Sequence, residues 1–299
     1  MLGKLTKNTF KANMSSVSNV YLAMGIIGII MLGLMVIDWT KWGDTGIGLG
    51  LVIKIIASAA LCLTAAIGII MTLTGIIGEY NRNMFGAEGH LTMALPVRSS
   101  TLLLSKWLAG SFWVVLSYLV LCVCAFGSFI YVVKHSVNIV QGNDMYYSVY
   151  ELVIEMVEQL CYSAGIATPS IAVLLSLASI YAFDGAVRLI VFVLLIFFAI
   201  TISHCRPFHK AGKFGKILYF FASFLGVNVF SSMITKFIKI YIIISETNYT
   251  FTLSAAEVAA AWDLGFGAYA ITNLYCTAIA AVFVFLVTTV LIDRHVNVS

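Results

Sequence analysis

Charge and proline are scarce in this sequence, and cysteine is never paired in a motif. Aspartate, glutamate, lysine and arginine make up 10% of the 299 residues, and only 3 prolines are present. A soluble domain carries about 25% charged and roughly 45–50% apolar residues; here 61% are hydrophobic and mean hydropathy is +1.02. That balance excludes an ordinary water-facing surface and leaves no footing for nucleic acid as a partner. The cysteines (Cys62, Cys122, Cys124, Cys161, Cys205 and Cys276) are scattered, mostly inside apolar runs. They read as small packing residues, with no disulfide framework or CxxC pair among them. A phosphate loop of the form GxxxxGK[ST] is missing too, since "HKAGKFGKI" has its lysines and glycines at the wrong spacing. No HExxH occurs, and His204, Cys205 and His209 are too few and too irregular for a zinc site. Neither an acidic pair nor a nucleophile–base pair lies inside an apolar run, and no selectivity-filter-like segment is visible. The chain is therefore not read as an enzyme or a channel, and no metal or cofactor is expected on it.

What the sequence has is long apolar runs, at 20–37, 47–78, 102–133, 166–183, 187–203, 217–245 and 264–292. About 20 such residues cross a bilayer as a helix, so the fold class is an all-α polytopic membrane protein. The run at 20–37 is long for a signal peptide and ends at Asp38-Trp39 without a small-residue cleavage site, so it is expected to be a retained span.

Charge decides the number of crossings, because lysine and arginine concentrate on the cytoplasmic side. If 166–203 crosses once, the inside holds Lys4, Lys7, Lys11, Arg82, Arg98, Lys106, Arg206, Lys210, Lys213, Lys216 and Arg294. The outside then holds only Lys41, Lys54, Lys134, Arg188, Lys236 and Lys239, with most of the acids. Splitting 166–203 into two full spans moves the basic loop at 204–216 outside and erases the bias. Six spans follow (20–37, 47–78, 102–133, 166–203, 217–245 and 264–292), with both termini cytoplasmic. Residues 166–203 are either one long helix capped at Thr168-Pro169 or a re-entrant hairpin turning at Asp184-Gly185. As one helix, it puts the Asp184/Arg188 pair, at i,i+4 spacing, near the outer headgroups.

Smaller elements complete the pattern. Lys4, Lys7 and Lys11 recur on one face of residues 1–16, with Leu2, Leu5, Phe10 and Met14 elsewhere around the same helix. This describes an interfacial helix on an anionic leaflet. "SVYE" at 148–151 and "SAAE" at 254–257 read as capping boxes of two short outer helices. The first helix carries Glu151, Glu155 and Glu158 on one face, either an acidic collar or a solvated surface. Inside the spans, Asn228, Lys236 and Lys239 are candidates for a polar transport path, against snorkelling of the lysines to the headgroups.

Between the second and third spans lies "MFGAEGHLTMALPVRSSTLLLSKW" (84–107). Gly86 and Gly89 permit tight backbone geometry, and Pro96 disfavours a helical Leu95. Leu91, Met93 and Leu95 supply an apolar surface that a plain connecting loop does not need. This stretch, with "MLGKLTKNTFKA" at the start and the basic loop before an apolar span, resembles permease subunits of bacterial ABC-2-type exporters. The usual family pattern, Gly-Tyr-Leu-Thr-x-Thr-Leu-Pro-Val followed by Leu-Leu-Ser-Lys, is matched at Gly89, Leu91, Thr92, Leu95, Pro96, Val97, Leu103, Leu104, Ser105 and Lys106. It is broken at His90, where an aromatic is usual, and at Ala94, where threonine is common. The likeness covers the N-terminal third well and the remainder mainly through its span layout.

The resemblance implies a coupling helix at 82–96, with Phe85, Glu88, Gly89, His90, Leu91, Met93, Leu95 and Pro96 seated in a groove of a separate ATPase. It implies two ATPase copies, which bind ATP and Mg, and a second permease, expected to be another copy of this chain, in the bacterial cell membrane. The chain is similar to the phenol-soluble modulin and antimicrobial-peptide exporter permeases of Gram-positive bacteria, so an amphipathic peptide is the expected cargo. A membrane sensor or immunity component on the same scaffold is the alternative.

Overall fold

The computed structural model describes residues 2–36, 46–86, 89, 97–135, 139–141, 145–147, 159, 171–205, 212–245 and 248–294. Most of them are helical. The helices are α1 (Leu2–Val36), α2 (Gly46–Phe85), α3 (Ser99–His135), α4 (Ile171–Ser203), α5 (Gly212–Phe237), α6 (Ala255–Asp263) and α7 (Thr272–Arg294). Five of these (α2 to α5 and α7) are long and apolar enough to cross a membrane, and α1 makes a sixth if its two bent halves form one span. Those halves, Gly3–Met14 and Val17–Ile30, meet at 50°, where the basic stripe gives way to the apolar run.

Residues 166–203 were open between one helix and a hairpin. From Ile171 to Ser203 they form one unbroken helix, passing through Asp184 and Gly185. The carboxylate of Asp184 accepts from Arg188 Nε at 2.8 Å within that helix, so the acidic residue needs no turn to find a partner.

The expectation of an all-α chain needs correction, because the described residues contain two small antiparallel sheets. The first is a hairpin of β1 (Ile139–Gln141) and β2 (Met145–Tyr147). The second has β3 (Tyr241–Ile244) at its centre, flanked by β4 (Tyr249–Thr252) and β5 (Gly267–Ala270). Spans five and six are accordingly shorter than expected: α5 stops at Phe237 instead of 245, and α7 starts at Thr272 instead of 264. The reason lies in "IKIYIII" (238–244), a β-branched and aromatic run that fits a pleated surface better than a helix. In hydropathy that run is indistinguishable from a continuing span.

The short helix over 254–257 is present, but its capping box is not closed. Ser254 sits at the N-cap without a side-chain bond, while Glu257 accepts from Thr252 Oγ1 on β4. Its other end is a Schellman turn: Phe266 N donates to Ala261 O at 2.9 Å and Gly265 N to Trp262 O at 3.0 Å. Gly265 has φ of 75°, a left-handed conformation that favours glycine. The helix expected at 148–160 lies outside the described residues, apart from residue 159.

Polar bonds and close approaches hold the bundle together. Tyr21 of α1 meets Ser117 of α3 at 2.6 Å, and Ser117 meets Thr72 of α2 at 3.0 Å. Trp107 Nε1 of α3 donates to Ile190 O of α4 at 3.0 Å. Gly110 lets α2 and α3 approach closely, since a Cβ there would stand 2.9 Å from Ile76 Cγ2. At the sheet end, α4 packs on β5 through Tyr181 against Tyr269 (centroids 5.1 Å apart) and through Leu177 against Gly267. The Asp184/Arg188 pair is thereby beside Tyr269, close to the start of α7.

The buried hydroxyl of Tyr269 gives the first prediction. Burial, reinforced by the adjacent Asp184 carboxylate, pushes its pKa up to about 12 from the usual 10.0. A raised phenol pKa means the fold favours the neutral form, so this contribution is intact below pH 10.0 and is lost as pH rises towards 12. Thermal unfolding in detergent should therefore show an alkaline loss of stability over that window, and Tyr269→Phe should lessen it.

Candidate functional site

Six helix ends gather at the end of the bundle that carries the basic residues. The close of α2 is joined to the close of α4 and the start of α5. Tyr80 OH and Thr201 Oγ1 lie 2.9 Å apart, and Lys216 Nζ donates to Asn81 Oδ1 at 3.1 Å. The start of α3 is tied to the end of α7 by a bond from Ser99 to Asp293. The first turns of α1 lie against both α2 and α3, where Phe10 stacks on Trp113 with centroids 4.9 Å apart.

Aromatic stacking reinforces these ties. The Tyr80 ring lies flat on Phe197, 3.9 Å away, and both are fully buried. Phe85 lies flat on His204 at 4.1 Å. The His204 ring is fixed in turn, with Nδ1 2.8 Å from Ile200 O. The next residue, Cys205, is buried; its Sγ donates to Thr201 O at 3.4 Å, and burial raises its thiol pKa.

At the centre of this end is a buried polar cluster. Glu79 is 7% exposed and uses both carboxylate oxygens: Arg82 donates to Oε2 and Asn83 Nδ2 to Oε1, each at 2.7 Å. Asn13 (2%), Ser105 (1%) and Lys106 (7%) are buried beside it. A cleft of about 330 Å³ opens among these groups. α1 contributes Leu5, Asn8, Thr9 and Ala12 to its wall; α2 contributes Glu79, Arg82 and Asn83; and α3 contributes Leu102, Ser105 and Lys106. A second, much smaller cavity of about 10 Å³ is lined by Asn13, Glu79, Tyr80 and Lys106 among others. Burying charged groups is costly unless they are paired and hydrogen-bonded, so this cluster is a deliberate feature at the edge of the apolar bundle.

The residues singled out from sequence fall unevenly around this site. Phe85 belongs to the last turn of α2, so 82–85 continue that helix instead of starting a separate one. Its ring is partly buried against the core. Gly89 is buried, and its N–H donates to Gly86 O at 2.8 Å. Glu88, His90, Leu91, Met93, Leu95 and Pro96 lie outside the described residues. Lys4, Lys7 and Lys11 are all exposed along one side of α1, while Asn13 and Val17 on the same helix are buried. Asn228 is exposed on α5, where its Nδ2 donates to Phe224 O at 2.8 Å. Lys236 lies in the last turn of α5 and Lys239 just beyond it, both exposed. These three are far from the basic-end cluster in the fold.

Sequence reasoning missed Glu79, Asn83 and Lys106 as a unit, although the charge count assigned Arg82 and Lys106 to one side. A usable signal existed: Glu79 directly follows one long apolar run and Lys106 lies inside another, so each needed a partner. No family model, curated protein or solved structure matches this chain.

The Tyr80 side chain is the mechanical centre of these ties. Tyr80→Ala removes a fully buried ring and is expected to cost about 3–5 kcal/mol. Tyr80→Phe keeps the stack and is expected to cost about 1 kcal/mol, since Thr201 Oγ1 still donates to Phe197 O at 2.8 Å. Urea or thermal unfolding of the purified variants measures both, and equal losses would refute the ranking.

Proposed function

We propose that this chain is the transmembrane subunit of an ATP-driven exporter of amphipathic or antimicrobial-type peptides in a bacterial cell membrane. A separate ATPase, in two copies, binds ATP and Mg and docks on residues 82–96. A second copy of this chain completes the membrane part, and both termini face the cytoplasm. The reading rests first on the resemblance at 84–107.

One observation carries it furthest. Residues 86–98 join the ends of α2 and α3, and both helices are bonded to the rest of the bundle within a few residues of that junction. Phe85 is stacked on His204 of the α4 end, and Ser99 is bonded to Asp293 of the α7 end. A push on this connection has short routes into four helices, as a docking element for a motor requires. The exposed stripe of Lys4, Lys7 and Lys11 suits contact with an anionic leaflet beside the docked ATPase.

Asn228, Lys236 and Lys239 remain candidates for the cargo path. Their helix exposes Phe224, Leu225, Val229, Phe230 and Met233 as well, and it is the membrane-length helix with no buried residue in its apolar window. A second copy or a peptide in transit would cover it.

Affinity purification of the tagged chain from its native membrane should recover an ATPase. Leu91→Asp with Leu95→Asp should reduce that recovery at least about tenfold, the loss expected when two buried apolar contacts become charged. Undiminished recovery would refute docking at 82–96. A cysteine introduced at Thr92, with the native cysteines replaced, should resist an impermeant thiol reagent in intact cells; ready labelling from outside would refute the orientation as well.

A further inference from the structure

The cleft at the basic end has features that the docking of an ATPase does not use. Its charged lining is Arg82 and Lys106 against Glu79, a net excess of one cation. Lys106 and Glu79 are each 7% exposed, so this is a built polar site and not a scatter of surface charge. Asn83 Oδ1 is buried without a hydrogen-bond partner, while its Nδ2 is committed to Glu79. Turning the amide over would not help, because Glu79 offers only acceptors. Leu5 and Leu102 form an apolar part of the same wall.

We infer that this cleft holds the headgroup of one anionic phospholipid, a phosphodiester that also bears a hydroxyl, as in phosphatidylglycerol. The phosphate is attracted by Arg82 and Lys106, and a headgroup hydroxyl donates to Asn83 Oδ1. A phosphodiester without a hydroxyl, an acceptor only, leaves that oxygen unmet. A choline or ethanolamine headgroup brings a second cation towards Arg82 and Lys106 and cancels the charge match. The apolar wall favours an amphiphile over a soluble phosphate, because the glycerol and first acyl carbons have somewhere to lie. At about 330 Å³ the cleft is at the low end of small-molecule sites, roughly 300–1,000 Å³, so it suits one headgroup. Basic pockets between membrane helices at the cytoplasmic side are an established way of holding anionic lipids.

The test uses the full chain, delipidated in detergent and offered equal amounts of phosphatidylglycerol, phosphatidylethanolamine and phosphatidylcholine, with retained lipid read by native mass spectrometry. One phosphatidylglycerol per chain is expected, favoured about tenfold or more over the other two. Lys106→Gln should remove that preference. Replacing Lys4, Lys7 and Lys11 together by glutamine should leave it, because those side chains are outside the cleft. Asn83→Ala should reduce the preference for phosphatidylglycerol over phosphatidylmethanol, an anionic phosphodiester that lacks the headgroup hydroxyl. Equal retention of the three lipids by the unaltered chain would overturn the inference, and that arm needs no variant to fold. Displacement by inorganic phosphate or glycerol phosphate as readily as by lipid would overturn the lipid assignment. Loss of retention in the triple lysine variant with none in Lys106→Gln would assign the lipid to the outer face of α1 instead.

Discussion

The constraint that organises this protein is the cost of a polar group without a partner in hydrocarbon, several kcal/mol for each. Backbone amides meet it by forming the long helices of the bundle. Hydroxyl side chains meet it by turning back onto their own helix: Thr72 donates to Gly68 O, Ser117 to Trp113 O, Thr201 to Phe197 O and Thr288 to Val284 O. Several of these hydroxyls then reach a second helix, so one atom satisfies itself and joins two elements. Among the described residues, backbone pairing between strands occurs beyond the ends of the long helices, where water can take the edges.

The same constraint explains why charge is concentrated at one end. Glu79, Arg82 and Asn83 follow the apolar part of α2 within one turn of each other, and Lys106 stands near the start of α3. None of them has to cross the hydrocarbon, yet Glu79 and Lys106 are withdrawn from bulk solvent. The ion pair of Glu79 with Arg82 spans the boundary, since the arginine is 63% exposed and the glutamate 7%. The buried carboxylate is thus tied to an exposed cation, an arrangement suited to a surface that meets headgroups on one side and packed helices on the other.

Much of this was legible in the sequence because hydropathy and charge asymmetry are summed over many residues. The long helices follow from such sums, whereas the run through Asp184 stayed open between a rod and a hairpin until the structure showed the rod. The sheet did not emerge, because Tyr241–Ile244 is as apolar as the spans beside it, and only its β-branched content separates the two. The cluster around Glu79 was hidden for a different reason. Its members come from three helices, and single-sequence patterns report which face a residue occupies, not what stands opposite. Phe85 shows the same limit: the resemblance put it among the residues of the coupling element, and no pattern indicated that its ring stacks on His204, more than a hundred positions away.

The unbroken run of α4 has a consequence for motion. A helix of 33 residues is a rod about 50 Å long at 1.5 Å per residue, with His204 just past one tip and the contacts of Leu177 and Tyr181 towards the other. Pivoting such a rod by roughly 5° about its midpoint shifts each tip by about 2 Å, in opposite directions. A lever of this kind needs no chain of rearranging side chains through the bilayer: displacement applied at one water interface reappears, reversed, beneath the three-stranded sheet at the other.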